Sequence, residues 1–179
     1  EQDEGSEGHE GDEATDAGTA PEGLFDRIRA GCATVAGHAA RIRIDDADDN
    51  YRTVLSQSGA NHYGFALRYR GVSDEWDLVL NSEDERSPSA YARAGSTTAP
   101  VQGEWTHLAA TVDPGLKLIQ LWVDGALQAT TSFAHEAWHA DGSVNIGCGG
   151  RTDPTGNFQY FKGAVQHVGV VLGGLECVG

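Results

Sequence analysis

Two short strings in this 179-residue chain have residue types and spacings that do chemistry elsewhere. His135-Glu136-Ala137-Trp138-His139 has the His-Glu-x-x-His spacing, which binds zinc when both imidazoles lie one helical turn apart on one face. Here the string follows a strand-like segment, no helix is indicated, and no third ligand stands at a matching distance. It is expected to be an inter-strand loop. Glu75 and Asp77 place two carboxylates on one face of a strand, as the first two positions of a Glu-x-Asp-x-x-Glu hydrolytic set would. Retaining glycoside hydrolysis needs a nucleophile and a separate proton donor about 5 Å apart. The donor position holds Leu80, so the set is incomplete. No phosphate-cradling glycine loop and no nucleophile-elbow serine occurs. No catalytic residue is assigned, and glycoside hydrolase and metalloprotease stand only as distant alternatives.

Binding chemistry is better represented. The acidic loops DDADDN (45–50) and NSEDERS (81–87) offer carboxylate oxygens of the kind that hold calcium. They also have the Asp/Asn/Ser composition of ordinary turns. Calcium is the one cofactor they suggest; no residue is assigned as a metal ligand. Glycan binding needs accessible aromatic rings beside polar groups. Trp76 and Trp105 fall within strands and are expected in the core, which leaves Trp138 and Tyr63 as candidate sugar-binding aromatics.

Charge narrows the partners. The formal net charge is −15, and residues 1–22 contain nine acidic side chains and no Lys or Arg, leaving the remainder at −6. A field of that sign repels nucleic-acid phosphates and anionic lipid heads. No apolar run is long enough to span a bilayer, so membrane insertion is not expected. The chain has no methionine, which suggests a processed product or a fragment. Removal of a signal peptide would place it outside the cytoplasm, and a secreted protein is the expectation.

The elements that must position these residues divide at two points. Residues 1–22 hold almost no large apolar side chain and are expected to form an extended or disordered acidic arm. Residues 23–31 suit a short helix or linker, with Leu24, Phe25 and Ile28 on one face and Gly31 as a stop. From residue 32 to 179 the hydrophobic period becomes two. Ile42 and Ile44 alternate with arginines; Tyr63, Phe65, Leu67 and Tyr69 share one face; Trp76, Leu78 and Leu80 share another. LKLIQLWV reads as a central strand, and Asp124-Gly125 as a tight hairpin turn into ALQATTSF. Eight to ten short strands with polar turns predict an all-β, two-sheet antiparallel sandwich.

The stretch GEWTHLAATVDPGLKLIQLWVDGAL resembles the signature of laminin-G-like (concanavalin A-like lectin/glucanase) jelly rolls, in which a Trp-x-His-Leu strand precedes one ending in Leu-x-Val-Asp-Gly. Those residues here are Trp105, His107, Leu108, Leu121, Val123, Asp124 and Gly125. YRTVLSQSG with GFALRY, AWHADGSVNIG, and FKGAVQHVGV agree in order, so the resemblance runs over residues 33–172. It implies a jelly roll used for adhesion or recognition of proteins or glycans, in some members with calcium at the rim. If the first and last strands run antiparallel, Cys32 and Cys177 meet and pair, closing a loop of roughly 146 residues and leaving Cys148 unpaired. Three reduced thiols are the alternative.

The function expected from sequence is a non-catalytic secreted binding or adaptor module that engages a protein partner through the sandwich surface and the acidic arm, as part of a larger extracellular assembly. The arm residues Glu4, Glu7, Glu10, Asp12, Glu13 and Asp16 would enter a basic groove on a protein partner, with Leu24 and Phe25 buried beside it. The alternative is a carbohydrate-binding module of an extracellular protein.

Overall fold

The computed structural model describes residues 36–138, 140–150 and 158–171. The acidic arm with its partner-binding residues, the short helix over 23–31, and the Cys32–Cys177 pairing lie outside the described residues. Among the described residues ten strands run in chain order: β1 (Ala36–Ile44), β2 (Tyr51–Ser58), β3 (Tyr63–Arg70), β4 (Glu75–Asn81), β5 (Tyr91–Gly95), β6 (Trp105–Asp113), β7 (Leu118–Val123), β8 (Ala126–Ser132), β9 (Val144–Ile146) and β10 (Gly163–Val171). The one helical element among the described residues is the 3-10 turn Gly71–Ser73. Two five-stranded sheets result, in the orders β10-β1-β6-β7-β8 and β5-β4-β3-β2-β9, with every strand pairing antiparallel. This is the all-β two-sheet sandwich that the alternation predicts, consistent with the jelly roll that the resemblance implies.

The core lies between the sheets because alternate side chains of each strand face inward. Ile42 and Ile44 meet Leu67, Tyr69, Trp76, Leu78, Leu108, Ile119 and Leu121 in one cluster. Each such side chain withdrawn from water contributes about 1.5–3 kcal/mol, which is what fixes the register of the strands. The β7–β8 hairpin turns on Asp124 and Gly125 at φ 49° and 78°. Positive φ at both central positions gives the turn the twist of the flanking strands, and glycine adopts it without steric cost. Asp124 also accepts the His107 N–H at 2.7 Å and donates its own N–H to the His107 carbonyl at 2.8 Å. The Trp-x-His-Leu and Val-Asp-Gly segments thus interlock: the turn aspartate ties the hairpin tip to β6.

Two sequence expectations are corrected. Tyr63 does not share the core face of Phe65, Leu67 and Tyr69; it belongs to a second cluster with Ala66 and Val79 on the outer face of the sheet. The alternation of β3 slips by one at Gly64, and the Tyr63 hydroxyl is taken by Arg68. Trp105 is not in the core either. It is half-buried on the outer face of β6, with the guanidiniums of Arg41 and Arg43 at 5.1 and 5.4 Å from its ring centroid.

The edges are joined by side chains and by one crossing segment. On one flank, Thr131 Oγ1 donates to the Arg93 carbonyl at 3.0 Å and the Thr97 N–H donates to Gln128 Oε1 at 3.1 Å, joining β5 to β8. On the other, residues 158–162 pass between sheets: the Thr53 N–H donates to the Gln159 carbonyl at 2.8 Å and the Asp45 N–H to that of Lys162 at 2.9 Å.

Candidate ligand-binding face

The outer face of the β5-β4-β3-β2-β9 sheet is where polar chemistry concentrates. On β4 the inward positions are Trp76, Leu78 and Leu80, so Glu75, Asp77, Val79 and Asn81 point outward. Cross-strand register then lays Arg68 opposite Asp77, Arg70 opposite Glu75, Arg93 opposite Val79 and Tyr91 opposite Asn81, while Tyr51 stands opposite Arg70. Tyr51, Arg68, Arg70, Tyr91 and Arg93 line a groove of about 260 Å³.

Its floor is an ion pair. Arg68 donates from Nε and Nη2 to the two oxygens of Asp77 at 2.8 and 3.2 Å, and from Nη1 to the Tyr63 hydroxyl. Its guanidinium also lies 4.5 Å from the Tyr51 ring centroid. Asp77 is 0% exposed. Burial pushes its carboxyl upward while Arg68 opposes that shift, and the two-point contact keeps both charges satisfied. Above the floor, Glu75 accepts from the Ser73 hydroxyl at 2.6 Å, from Arg70 Nη1 at 3.2 Å and from Arg93 Nη1. Partial burial pulls Glu75 upward, but Ser73, Arg93 and Arg70 together hold it below the usual carboxylate range. Both carboxylates of the incomplete hydrolytic set are therefore bound to guanidiniums, and Leu80 is in the core.

The two aromatics singled out from sequence go to different places. Tyr63 is 2% exposed, stacked beneath Phe158 at 5.8 Å between ring centroids, which corrects its expected role as an accessible sugar platform. Trp138 is half-buried and lines a separate depression with Gly59, Asp84 and Asp141. Asp84 accepts the N–H groups of Ala60, Asn61 and His62 at 2.7, 2.8 and 3.0 Å, so its carboxylate shapes the turn under that depression. The sequence reading missed Tyr51, Arg68, Arg70, Tyr91 and Arg93. Their signal was present: in LRYR and YARAG they occupy every second position, opposite the apolar ones.

The other candidate chemistry resolves into structure. Residues 135–138 form a loop in which Lys117 Nζ binds the Glu136 carboxylate and the His135 ring lies 5.3 Å from that of Phe133; His139 lies outside the described residues. In the first acidic loop, Asp45 pairs with Arg43 at 2.8 Å, Asp46 with Lys162, and Asp48 with Arg52. Asn50 is the first of the groups that hold Asp48 down to about 2, and Arg52 adds to its pull. In the second loop, Glu83 accepts the Ser89 N–H at 2.6 Å. Among the described residues no group of three or more His, Cys, Asp or Glu converges as a metal site would, and no helix is long and apolar enough to cross a membrane.

Comparison with known proteins adds the following. The family model of the concanavalin A-like lectin/glucanases superfamily (laminin G type) matches residues 31–172. By sequence, no curated protein matches. Among solved structures, the chain is similar to the family 40 carbohydrate-binding module of the Ruminococcus gnavus intramolecular trans-sialidase, bound to α2,3-sialyllactose, with TM-score 0.61 and 15% identity over 84% of this chain and 83% of that one. It is also similar to the heptameric serum-amyloid-P-like pentraxin of Limulus polyphemus, with TM-score 0.60 and 16% identity over 77% and 64%. The leech intramolecular trans-sialidase gives TM-score 0.60 and 12% identity, with 86% of this chain covering 23% of that enzyme. At these identities the likeness is one of fold.

Proposed function

Because the chain belongs to the concanavalin A-like lectin/glucanase superfamily, we propose that it is a carbohydrate-binding module, with sugar seated in the groove of Tyr51, Arg70, Tyr91 and Arg93. The observation that supports this most directly is Tyr91. Its ring is 65% exposed on the same strand face as Arg93 and beside a fixed array of charged groups. A flat apolar ring with hydrogen-bonding groups next to it matches the two faces of a pyranose, whose C–H side packs and whose hydroxyls bond. A similar fold of nearly equal length is a carbohydrate-binding module crystallised with sialyllactose, which favours glycan over the protein-partner adaptor preferred from sequence.

The groove's own wiring favours binding over catalysis. Asp77 has both oxygens on the Arg68 guanidinium and Glu75 has its Oε1 on Ser73, Arg70 and Arg93, and the position of a further proton donor holds Leu80, which is in the core. The reading is tested by a glycan array followed by calorimetry on the hits. Tyr91→Ala is expected to weaken the hit about fivefold or more, since truncating an aromatic anchor of a binding surface costs more than about 1 kcal/mol. Leu127→Ala, an exposed position on β8 of the opposite sheet, should leave affinity unchanged. Full affinity in Tyr91→Ala would reject this face.

A further inference from the structure

We infer that the groove selects a glycan carrying a carboxylate, a sialic or uronic acid, and that Arg93 is the residue that reads it; this rests on the reading of the face as a sugar site. The three arginines of the groove are not equivalent. Arg68 is fully engaged, with Nε and Nη2 on Asp77 and Nη1 on Tyr63. Arg70 donates only from Nη1, to Ser73 and Glu75; its side chain is 28% exposed and lies opposite Tyr51 in the strand register. Arg93 also commits only Nη1, to Glu75 and at 4.0 Å to Asp77; its Nε and Nη2 hydrogen-bond no described residue, and its side chain is the more exposed of the two, at 35%.

That unspent Nε–Nη2 edge is the fork that pairs with a carboxylate through two parallel hydrogen bonds. The same edge of Arg68 already does this inside the protein, holding Asp77 at 2.8 and 3.2 Å. Glu75 does not compete for it. The carboxylate is anchored by Ser73, Arg70 and the opposite nitrogen of Arg93, so it orients the guanidinium with its free edge left over.

The backbone makes room for this arrangement at Gly95. A Cβ there would stand 2.4 Å from Glu75 Oε2 and 2.8 Å from Arg93 Nη1, so a bare glycine lets the pair lie across β5. Three guanidiniums against two carboxylates leave the groove locally positive on a chain whose net charge is −15. A neutral sugar would use the fork's two N–H groups singly and gain nothing from the charge; a planar carboxylate uses both at once.

The test is calorimetry on the full chain with 3′-sialyllactose, digalacturonate, lactose and lactose 3′-sulfate. One of the two carboxylate sugars is expected to bind at least about tenfold more tightly than lactose and than the sulfate, and which one does so identifies the source of the carboxylate. Arg93→Lys, which keeps the charge but loses the fork, should abolish most of that preference. Its melting temperature should hold, because the β5–β8 tie uses the Arg93 carbonyl and not its side chain. Equal binding of the sulfate and the carboxylate, or array hits confined to neutral sugars and weakened by Tyr91→Ala, overturns the inference and leaves the sugar site standing. The absence of any glycan hit overturns both.

Discussion

At the scale of single residues, the buried Arg68–Asp77 pair and the buried His38 have opposite consequences. Arg68 and Asp77 are both buried, and each satisfies the other. Removing one partner leaves the other charged and without compensation in a low-dielectric site, a loss of about 3–5 kcal/mol. Asp77→Ala is therefore expected to lower unfolding free energy by that amount in urea, and the double variant Arg68→Met/Asp77→Leu to recover most of it. A single variant as stable as the parent would show that the pair is solvated. His38 is the other case. It is 1% exposed, its ring stacked on Phe65 at 4.0 Å between centroids, and its Nδ1 has no hydrogen-bond partner among the described residues. Burial lowers its pKa from 6.5 to about 4. The unfolded chain therefore binds a proton on His38 while the folded chain does not, over the whole interval from pH 6.5 down to about 4. Stability from this group is complete above pH 6.5 and falls through that interval, by roughly 3 kcal/mol at most. Asp45, Asp48, Glu75 and Glu83 are held below the ordinary carboxylate range, so their losses fall lower on the pH scale. Urea titrations at pH 8 and pH 4.5 should give a smaller difference for His38→Leu than for the parent; equal differences would mean that the histidine is protonated in the fold.

At the scale of elements, the β7–β8 hairpin shows how a turn residue can serve two strands at once. Asp124 sits at φ 49°, accepts the His107 N–H through its carboxylate and donates its backbone N–H to the His107 carbonyl. Asp124→Ala loses the side-chain bond and places a less tolerant residue at positive φ, a combined effect of about 1–3 kcal/mol. Asp124→Asn, which keeps an acceptor and tolerates that conformation, should retain most of the stability in thermal melts. Equal loss in both would assign the effect to charge. The hairpin was legible in the sequence because its signal is local: two residues fix the turn, and period two fixes the strands on either side. Trp76-Leu78-Leu80 was legible for the same reason. Tyr63 was not, because the slip at Gly64 leaves its neighbours' alternation intact and moves only one ring to the other face. The groove was hardest. Its residues come from β2, β3, β4 and β5, and only register places Arg68 on Asp77 and brings Glu75 within reach of Arg93. Each arginine alone reads as a solvated outward position. Trp105 was misread because tryptophan in a strand usually marks a core, and the arginine pair that flanks it on β1 becomes its neighbour only through the β1–β6 pairing.

At the scale of the whole molecule, the distribution of charge sets how an anionic ligand reaches a site that is positive only locally. Residues 1–22 contain nine carboxylates and no Lys or Arg, so removing them changes the formal net charge from −15 to −6. The ion pairs of the groove are made by residues of β3 to β5 and the turn at Ser73, with Tyr51 of β2 stacked on Arg68. A carboxylate sugar approaching the full chain meets a repulsive field that falls off over about 8 Å at physiological ionic strength and about 30 Å at 0.01 M salt. The truncated chain, residues 23–179, is accordingly expected to bind the preferred carboxylate sugar a few-fold more tightly than the full chain at about 0.01 M salt, with the gap closing near 0.15 M. A neutral sugar offered to both proteins supplies the control, since its affinity should not respond to the deletion at either salt concentration. Calorimetry at the two ionic strengths measures all four quantities. A gap that persists at high salt would mean that the acidic segment occupies the groove by contact and does not act through its field. Equal affinities at low salt would mean that the segment's charge is already neutralised, which is the outcome to expect if the nine carboxylates have a basic partner of their own.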